Sequence, residues 1–462
     1  MKIIVDNLKS QIKTDNPEIL KALYDRYSYT VPGAYFAKQQ MGRRGKYWDG
    51  KKHFITKGGQ FKTGLLDRIL ADLELIGCKP EIEWVGNGIK VRGGLDLTVE
   101  KIGKYTLRDW QRQFSILALG GTIARNIIKA PTGSGKTLLM AVLVQHLPLK
   151  TLILVTQKQL AYQTYDFLKK LGIDVGVCTG DGKSEGLPQV MVSTVQSIDH
   201  IVEDYHDCKM LIADEVHEFV SDDRSDILSG FTKAVRRYGF TATPPTDTIS
   251  LLAIEGAIGP VYEIRSTQEL IEDGSLTMPI IQAVEMPEPK GLALKTWNTY
   301  KAMYDNLIIK NKERNTIIAT IVRTIMNKYD KPRIVIVVKE LEHLEKLKDL
   351  IPYAHVLQGA DTISERYSKI DKFTDAAEGS VILATKVLQT GINIEEITHL
   401  VNGRGLAKDI PTLQLLGRAL RKHKSKDAVY IYDFLDKGKW LEAHSKKRIK
   451  HYKNEGHKVE II

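Results

Sequence analysis

The chain has 462 residues and a net charge of +11, with 43% hydrophobic and 27% charged residues. At roughly 150 residues per domain it holds about three folded domains, which excludes a disulfide miniprotein and wholesale disorder. No apolar run approaches the roughly 18 residues that span a bilayer, and Cys78, Cys178 and Cys208 are too scattered for a disulfide framework or a zinc knuckle. The opening MKIIVDNLKS lacks the basic-then-apolar pattern of a secretory signal. A reducing, cytoplasmic location without membrane attachment is therefore expected.

Residues 1–100 are glycine-rich, with two-residue alternation as in PEIEWVGNGIKVRG, and read as a small separate α+β domain. The charge is unevenly divided along the chain. Lys and Arg outnumber Asp and Glu by 17 to 12 in residues 1–100, by 42 to 41 in 101–436 and by 8 to 3 in 437–462. The excess is concentrated in residues 38–62, where Lys38, Arg43, Arg44, Lys46, Lys51, Lys52, Lys57 and Lys62 face the single acid Asp49. That is the footprint of a polyanion-binding surface, and Arg43, Arg44, Lys46, Lys51 and Lys52 are the candidates to neutralise phosphates. Tyr47 and Trp48 inside the patch read first as core anchors, and otherwise as stacking platforms for unpaired bases.

From residue 101 to 265 short apolar, β-branched runs alternate with helix-length segments: IARNIIKA, TLILVTQ, VMVSTV, KMLIADE and RRYGFTATP. Such runs suit a parallel sheet covered on both faces. Between the first of them and the helix-like LLMAVLVQHL lies Ala-Pro-Thr-Gly-Ser-Gly-Lys-Thr, residues 130–137, a full phosphate-binding loop. Backbone N–H groups of Thr132, Gly133, Ser134 and Gly135 can wrap phosphates only where side chains are absent at close approach, hence the glycines. Lys136 is expected to neutralise the β- and γ-phosphates of a nucleotide, and the Thr137 hydroxyl to hold Mg²⁺. At the end of KMLIADE, 78 positions after Lys136, Asp214 is the expected second Mg²⁺ ligand and Glu215 the base for an attacking water. Hydrolysis is therefore the expected reaction.

A second α/β pattern occupies 266–436, with the strands RIVIVVK, VILAT, THLVN and AVYIYDF; the first domain ends near STQELIEDGSLTMP, and residues 437–462 form a basic tail.

Beyond these two motifs the sequence resembles the superfamily 2 helicases. The DEVH box is Asp214 to His217; GFTATPP puts Thr241 and Thr243 at the coupling motif; Gln414-Leu-Leu-Gly-Arg-Ala-Leu-Arg421 fits QxxGRxxR. LRDWQRQ (107–113) is similar to the adenine-sensing segment, with Gln111 as base reader beside Arg108. LILVTQKQLAYQ, MVSTVQSI and ILATKVLQTGINIEE are similar to the strand-contacting motifs, which nominates Gln163, Thr194 and Thr385 as nucleic-acid contacts. Motif V departs from the common form, with Lys386 where an acid is frequent.

The resemblance implies two tandem RecA-like domains with parallel sheets, preceded by the small α+β domain, with ATP between them. It makes Gln414, Arg418 and Arg421 the catalytic group that meets the γ-phosphate, Arg418 and Arg421 as arginine fingers, and His217, Thr241 and Thr243 the relay to the bound strand. KYWDGKKHFITKGGQFKTGLL (46–66) is further similar to the UvsW-type phage helicases. The implied activity is ATP-dependent remodelling of forked or junction DNA in recombination, replication or repair, in the host cytoplasm if phage-encoded. An RNA-remodelling ATPase and a partner-dependent duplex translocase are the alternatives. No protein partner is indicated.

Overall fold

The computed structural model describes residues 1–35, 48–85, 98–121, 124–131, 133–288, 299–385, 394–407, 420 and 426–462. Two compact units emerge: residues 1–130 with 135–264, and residues 131–134 with 265–462.

The first unit opens with β1 (Lys2–Val5) and β2 (Lys9–Lys13), whose alternation turns Ile3, Val5 and Ile12 inward. Helix α1 (Pro17–Arg26) starts at Asn16, whose side chain accepts from the Glu18 N–H, and Pro17 occupies a position that needs no donor. After the β3 (Ser28–Thr30) and β4 (Lys51–His53) ribbon come β5 (Gln60–Lys62), α2 (Leu66–Leu75) and β6 (Glu81–Trp84), closing a sheet of order β5-β2-β1-β6.

This small sheet has its own core around Ile55, Phe61, Ile69 and Leu73, and Leu252 from the following fold enters it. Gly64 explains how close the two parts come: a Cβ there would lie 2.0 Å from the Glu255 carbonyl oxygen. Arg68 makes a two-pronged contact with the buried Glu255 carboxylate at 3.0 Å, and Asn7 donates to the Thr232 and Ala234 carbonyls. Strands β1, β2, β5 and β6 thus form a sheet of their own that clusters with the larger sheet following it, because the facing surfaces are apolar at the centre and paired in charge at the rim.

That larger sheet comprises β7 (Arg125–Lys129), β8 (Thr151–Val155), β9 (Val175–Thr179), β10 (Gly182–Lys183), β11 (Val190–Thr194), β12 (Met210–Asp214), β13 (Arg236–Thr241) and β14 (Val261–Glu263), in the order β10-β9-β11-β8-β12-β13-β7-β14. All neighbours are parallel except β10. Strands β8, β11, β12 and β13 are buried at every residue, as unalternating runs require in a sheet covered on both sides. Register fixes the functional edge. Asp214 lies opposite Phe240 and Thr241 opposite Lys129, so the carboxyl ends of β12, β13 and β7 line up. Helix α3 (Asp109–Leu119) precedes β7, and α4 (Lys136–His146) and α5 (Lys158–Lys170) follow β7 and β8.

In the second unit seven parallel strands form one sheet: β15 (Met278–Glu285), β16 (Arg333–Val337), β17 (His355–Leu357), β18 (Ser380–Ala384), β19 (His399–Asn402), β20 (Ala428–Leu435) and β21 (Lys458–Ile461), in the order β17-β18-β16-β19-β20-β15-β21. Helix α7 (Lys312–Lys328) packs Ile318, Val322 and Ile325 into the core of this sheet and α8 (Lys439–Asn454) lies against β20 and β21, while α6 (Tyr300–Tyr304), extended by a π-helical turn over Asp305–Ile309, packs on Leu441 of α8. Residues 437–462, read from sequence as a basic tail, contain a helix and a sheet strand. The buried positions of α8 are Leu441, Ser445, Arg448 and Tyr452, and the polar members among them hide the stripe from a hydrophobicity pattern. Among the described residues no helix is long and apolar enough to cross a membrane.

Candidate nucleotide site and nucleic-acid contacts

The phosphate loop follows β7 directly. Gly133 and Gly135 have φ values of 84° and 93°, a conformation that side-chain-bearing residues rarely adopt. At Gly135 a Cβ would also lie 2.8 Å from Gln111 Nε2, which shows how tightly the buried Gln111 packs against the loop exit. Gln111 is oriented by the Arg108 N–H, which donates to its Oε1 at 3.0 Å, whereas the Arg108 side chain is exposed. The segment 107–113 and the loop exit, separate in sequence, are therefore brought together. Ser134 is buried, and Thr137 stands one residue into α4, half-buried.

Lys136 leads into a series of hydrogen bonds and one ion-pair contact. Its Nζ donates to Glu215 Oε1 at 3.1 Å, and the other Glu215 oxygen lies 3.3 Å from His217 Nδ1. The same His217 nitrogen lies 2.9 Å from Thr241 Oγ1, which accepts the Thr243 N–H at 3.1 Å. Five sequence-nominated residues, Lys136, Glu215, His217, Thr241 and Thr243, thus form one connected path from α4 to the end of β13. Thr243 Oγ1 is buried and has no partner among the described residues.

Electrostatics separates the two adjacent carboxyl groups. Burial, reinforced by the neighbouring Glu215 charge, pushes Asp214 up to about 6. Burial acts the same way on Glu215, but Lys136 and His217 outweigh it and hold that carboxyl at about 2. Glu215 also carries a positive φ of 47°, uncommon for a residue with a side chain, and its N–H donates to Asp214 Oδ1 at 3.0 Å. Oppositely displaced neighbouring carboxyl groups at one strand end make this a candidate site.

The donor set suits a nucleotide polyphosphate. Glycines keep the loop open for backbone N–H contacts, Lys136 is a cation opposite an exchangeable carboxylate, and Asp214 and Thr137 offer the hard oxygens that Mg²⁺ prefers. Thr132, Gln414, Arg418 and Arg421 lie outside the described residues, as do Arg43, Arg44 and Lys46.

Residues 100–246 match the family described as type III restriction enzyme, res subunit, and residues 313–423 match the helicase conserved C-terminal domain. Together the two matches cover more than half of the chain, in the order of the motifs. The chain belongs to the superfamily 2 helicases. This helicase is 24% identical over 436 residues to the ATP-dependent DNA helicase uvsW of Enterobacteria phage T4, covering 87% of this chain and 85% of the relative. It is 26% identical over 425 residues to the DNA 3'-5' translocase XPB2 of Sulfurisphaera tokodaii, covering 84% and 88%. Among solved structures, the ATP-dependent type ISP restriction-modification enzyme LlaBIII bound to DNA superposes with a TM-score of 0.57 at 16% identity, over 86% of this chain and 34% of that one, a likeness in fold.

The nominated strand contacts of the helicase occupy varied settings. Gln163 is exposed on α5, Thr194 is buried with its hydroxyl donating to Ser197 Oγ at 2.9 Å, and Thr385 is buried at the end of β18. Lys51 is exposed and Lys52 sits 5.8 Å over the Phe54 ring. Thr156 and Gln157, a polar pair closing the apolar run TLILV of β8, bury Thr156 Oγ1 and Gln157 Oε1 without partners among the described residues.

Proposed function

We propose that the protein is an ATP-dependent DNA helicase or translocase that remodels branched DNA, by fork regression, branch migration or displacement-loop unwinding. The observation that carries the motor reading is the connected path Lys136–Glu215–His217–Thr241–Thr243. Bound Mg²⁺-ATP supplies the phosphoanhydride whose hydrolysis releases the free energy for movement. Lys136 and the loop N–H groups bind phosphate, Gln111 reads the base, and Thr137 and Asp214 would hold Mg²⁺, which would neutralise phosphate charge there. When Lys136 turns to phosphate, Glu215 loses its strongest cationic neighbour and gains basicity, which suits it to take the proton of the attacking water. His217 Nδ1 lies within 3.3 Å of a Glu215 oxygen and 2.9 Å of the Thr241 hydroxyl, so a change of charge at the carboxylate is felt at the threonines. Gln414, Arg418 and Arg421 stabilise charge on the transferred phosphoryl group.

DNA as the substrate, and its branched form, rest on the similarity to the uvsW helicase and on the basic segment 38–62. The similarity to the XPB2 translocase favours a second reading, movement on duplex without strand separation. ATPase and product formation on single-stranded, duplex, forked and four-way DNA and matched RNA distinguish them. Branched DNA should stimulate turnover most and be converted to products, whereas duplex-stimulated ATPase without strand separation supports the translocase. Changing Arg43, Arg44, Lys46, Lys51 and Lys52 together to Ala should weaken fork binding, lower the log–log salt slope by about 0.9 per lost phosphate contact, and spare basal ATP hydrolysis.

A further inference from the structure

We propose that α8 is a second DNA-contacting surface, on which a stripe of lysines lies along the phosphate backbone of a duplex. The inference rests on DNA being the substrate, as read above, and it adds to the basic segment 38–62 a grip that belongs to the second unit.

Helix α8 exposes Lys439, Lys446, Lys447, Lys450 and Lys453 and contains a single acid, Glu442. At 3.6 residues per turn, Lys439, Lys446, Lys450 and Lys453 fall within an arc of about 60° and span about 21 Å, with Lys447 on the flank. Glu442 is taken up by Lys446, whose Nζ donates to its Oε1 at 2.6 Å. The opposite face of the helix buries Leu441, Ser445, Arg448 and Tyr452 and packs on β20 and β21, so the direction of the stripe is fixed. The one arginine of the helix is spent internally, on the buried Asp433 carboxylate at 2.9 Å.

Solubility alone does not account for this face. The helices Leu341–Leu350 and Ile363–Thr374 of the same unit mix acids with bases along their length. In α8, Lys450 stands three or four positions from Lys446, Lys447 and Lys453, spacings at which like charges repel. Lys439 opens the helix, the end where a cation is disfavoured. A polyanion relieves both costs. Position agrees with charge: α8 leaves the carboxyl end of β20, the edge at which open α/β sheets bind ligands. The stripe therefore starts at the edge that also carries Thr385, the nominated contact after β18, and runs back towards the start of β21. A duplex suits it better than a single strand. Its line holds no aromatic side chain on which unpaired bases could stack, whereas a duplex offers one negative charge per about 1.7 Å of axis along the full length of the stripe. Helix α8 lies outside the region matched to the helicase C-terminal family.

The test uses the full chain. One variant changes Lys446, Lys450 and Lys453 together to Gln, and a second changes the same three to Arg. A third changes Lys310, Lys328 and Lys372, exposed lysines of the same unit outside α8, to Gln. Each is titrated against a fluorescent duplex and a single strand of equal length across a salt series, beside DNA-free ATP hydrolysis and thermal unfolding. The stripe Gln variant should bind duplex more weakly and lower the log–log salt slope by about 0.9 per lost contact, roughly 2 to 3 in all. The Arg variant should bind as the parent does, the scattered variant should keep most of the slope, and DNA-free hydrolysis should be unchanged in all three. If the two Gln variants lose the same slope, only net charge is being read and the inference fails; it fails equally if the stripe variant matches the parent, or loses binding to the single strand alone. Should the stripe Gln variant melt early, Lys450→Glu decides, because it gains a pairing with Lys446 inside the helix and must still weaken duplex binding. A parent protein that bound no DNA would overturn the DNA reading itself, an outcome distinct from a tightly bound parent with an indifferent stripe.

Discussion

The two units each bury a cluster of charge, and the clusters differ in kind. Around Arg314, Arg448, Asp433 and Asp436 opposite charges are matched, and Asp433 accepts from Arg448, Asn402 and Tyr452. Around Lys136 one ammonium faces two adjacent carboxyl groups, the Asp214 pKa is pushed up, the Glu215 pKa is held down, and Glu215 sits in a disfavoured backbone region. A matched cluster holds a chain in place. An unmatched one leaves a carboxyl group short of a cation, as a candidate ligand site does.

The contrast breaks first at Lys136. Lys136→Ala should cut nucleic-acid-stimulated kcat by about 100- to 1000-fold, with the fold intact, because the residue serves the ligand more than the protein. Glu215→Gln should slow turnover by roughly 100- to 10,000-fold while equilibrium binding of a fluorescent nucleotide survives. A Glu215→Gln protein that no longer bound nucleotide would merge the roles assigned to the two carboxylates. In the matched cluster the penalty should be thermodynamic. Asp433→Ala leaves Arg448 buried without its main partner, and chemical denaturation should register a loss of about 3–5 kcal/mol.

A smaller effect has the opposite sign. Asp214→Asn should abolish turnover yet stabilise the nucleotide-free protein at pH 8. The native carboxyl, raised to about 6, must ionise there against burial, and each tenfold displacement of an acidity constant is worth about 1.4 kcal/mol. A melting temperature unchanged by Asp214→Asn would mean that Lys136 already compensates the charge.

The pH dependence of unfolding sharpens the comparison further. Burial holds His343 at about 3 and His399 at about 4, well below the ordinary imidazole value. The unfolded chain therefore binds protons below about pH 6.5 that the folded second unit refuses, and stability falls as the pH drops from 6.5 towards 4. Asp214 acts in reverse: the folded state holds its proton up to about pH 6, and that contribution fades as the pH rises from about 4 to 6. His399→Phe should flatten the first slope and Asp214→Asn the second, read as shifts in the denaturation midpoint across a pH series.

Short-range information in the sequence determined much of this protein. The phosphate loop, the DEVH box and the TAT segment were legible because each is a local constellation next to a buried strand, and unalternating runs such as TLILV and MLIAD foretold parallel sheets covered on both faces. Long-range pairing was decided by tertiary structure alone. Nothing local says that Lys136 meets Glu215, that Gly64 abuts Glu255, or that Arg314 reaches Asp436 across 122 positions. The charge count misled for the same reason. It assigned 8 cations to a basic tail, yet Arg448 is buried on a helix packed into the second unit. A sequence pattern reports which residues carry charge or grease and at what period, but the side of the surface on which a charge ends depends on partners that only the folded chain brings within reach.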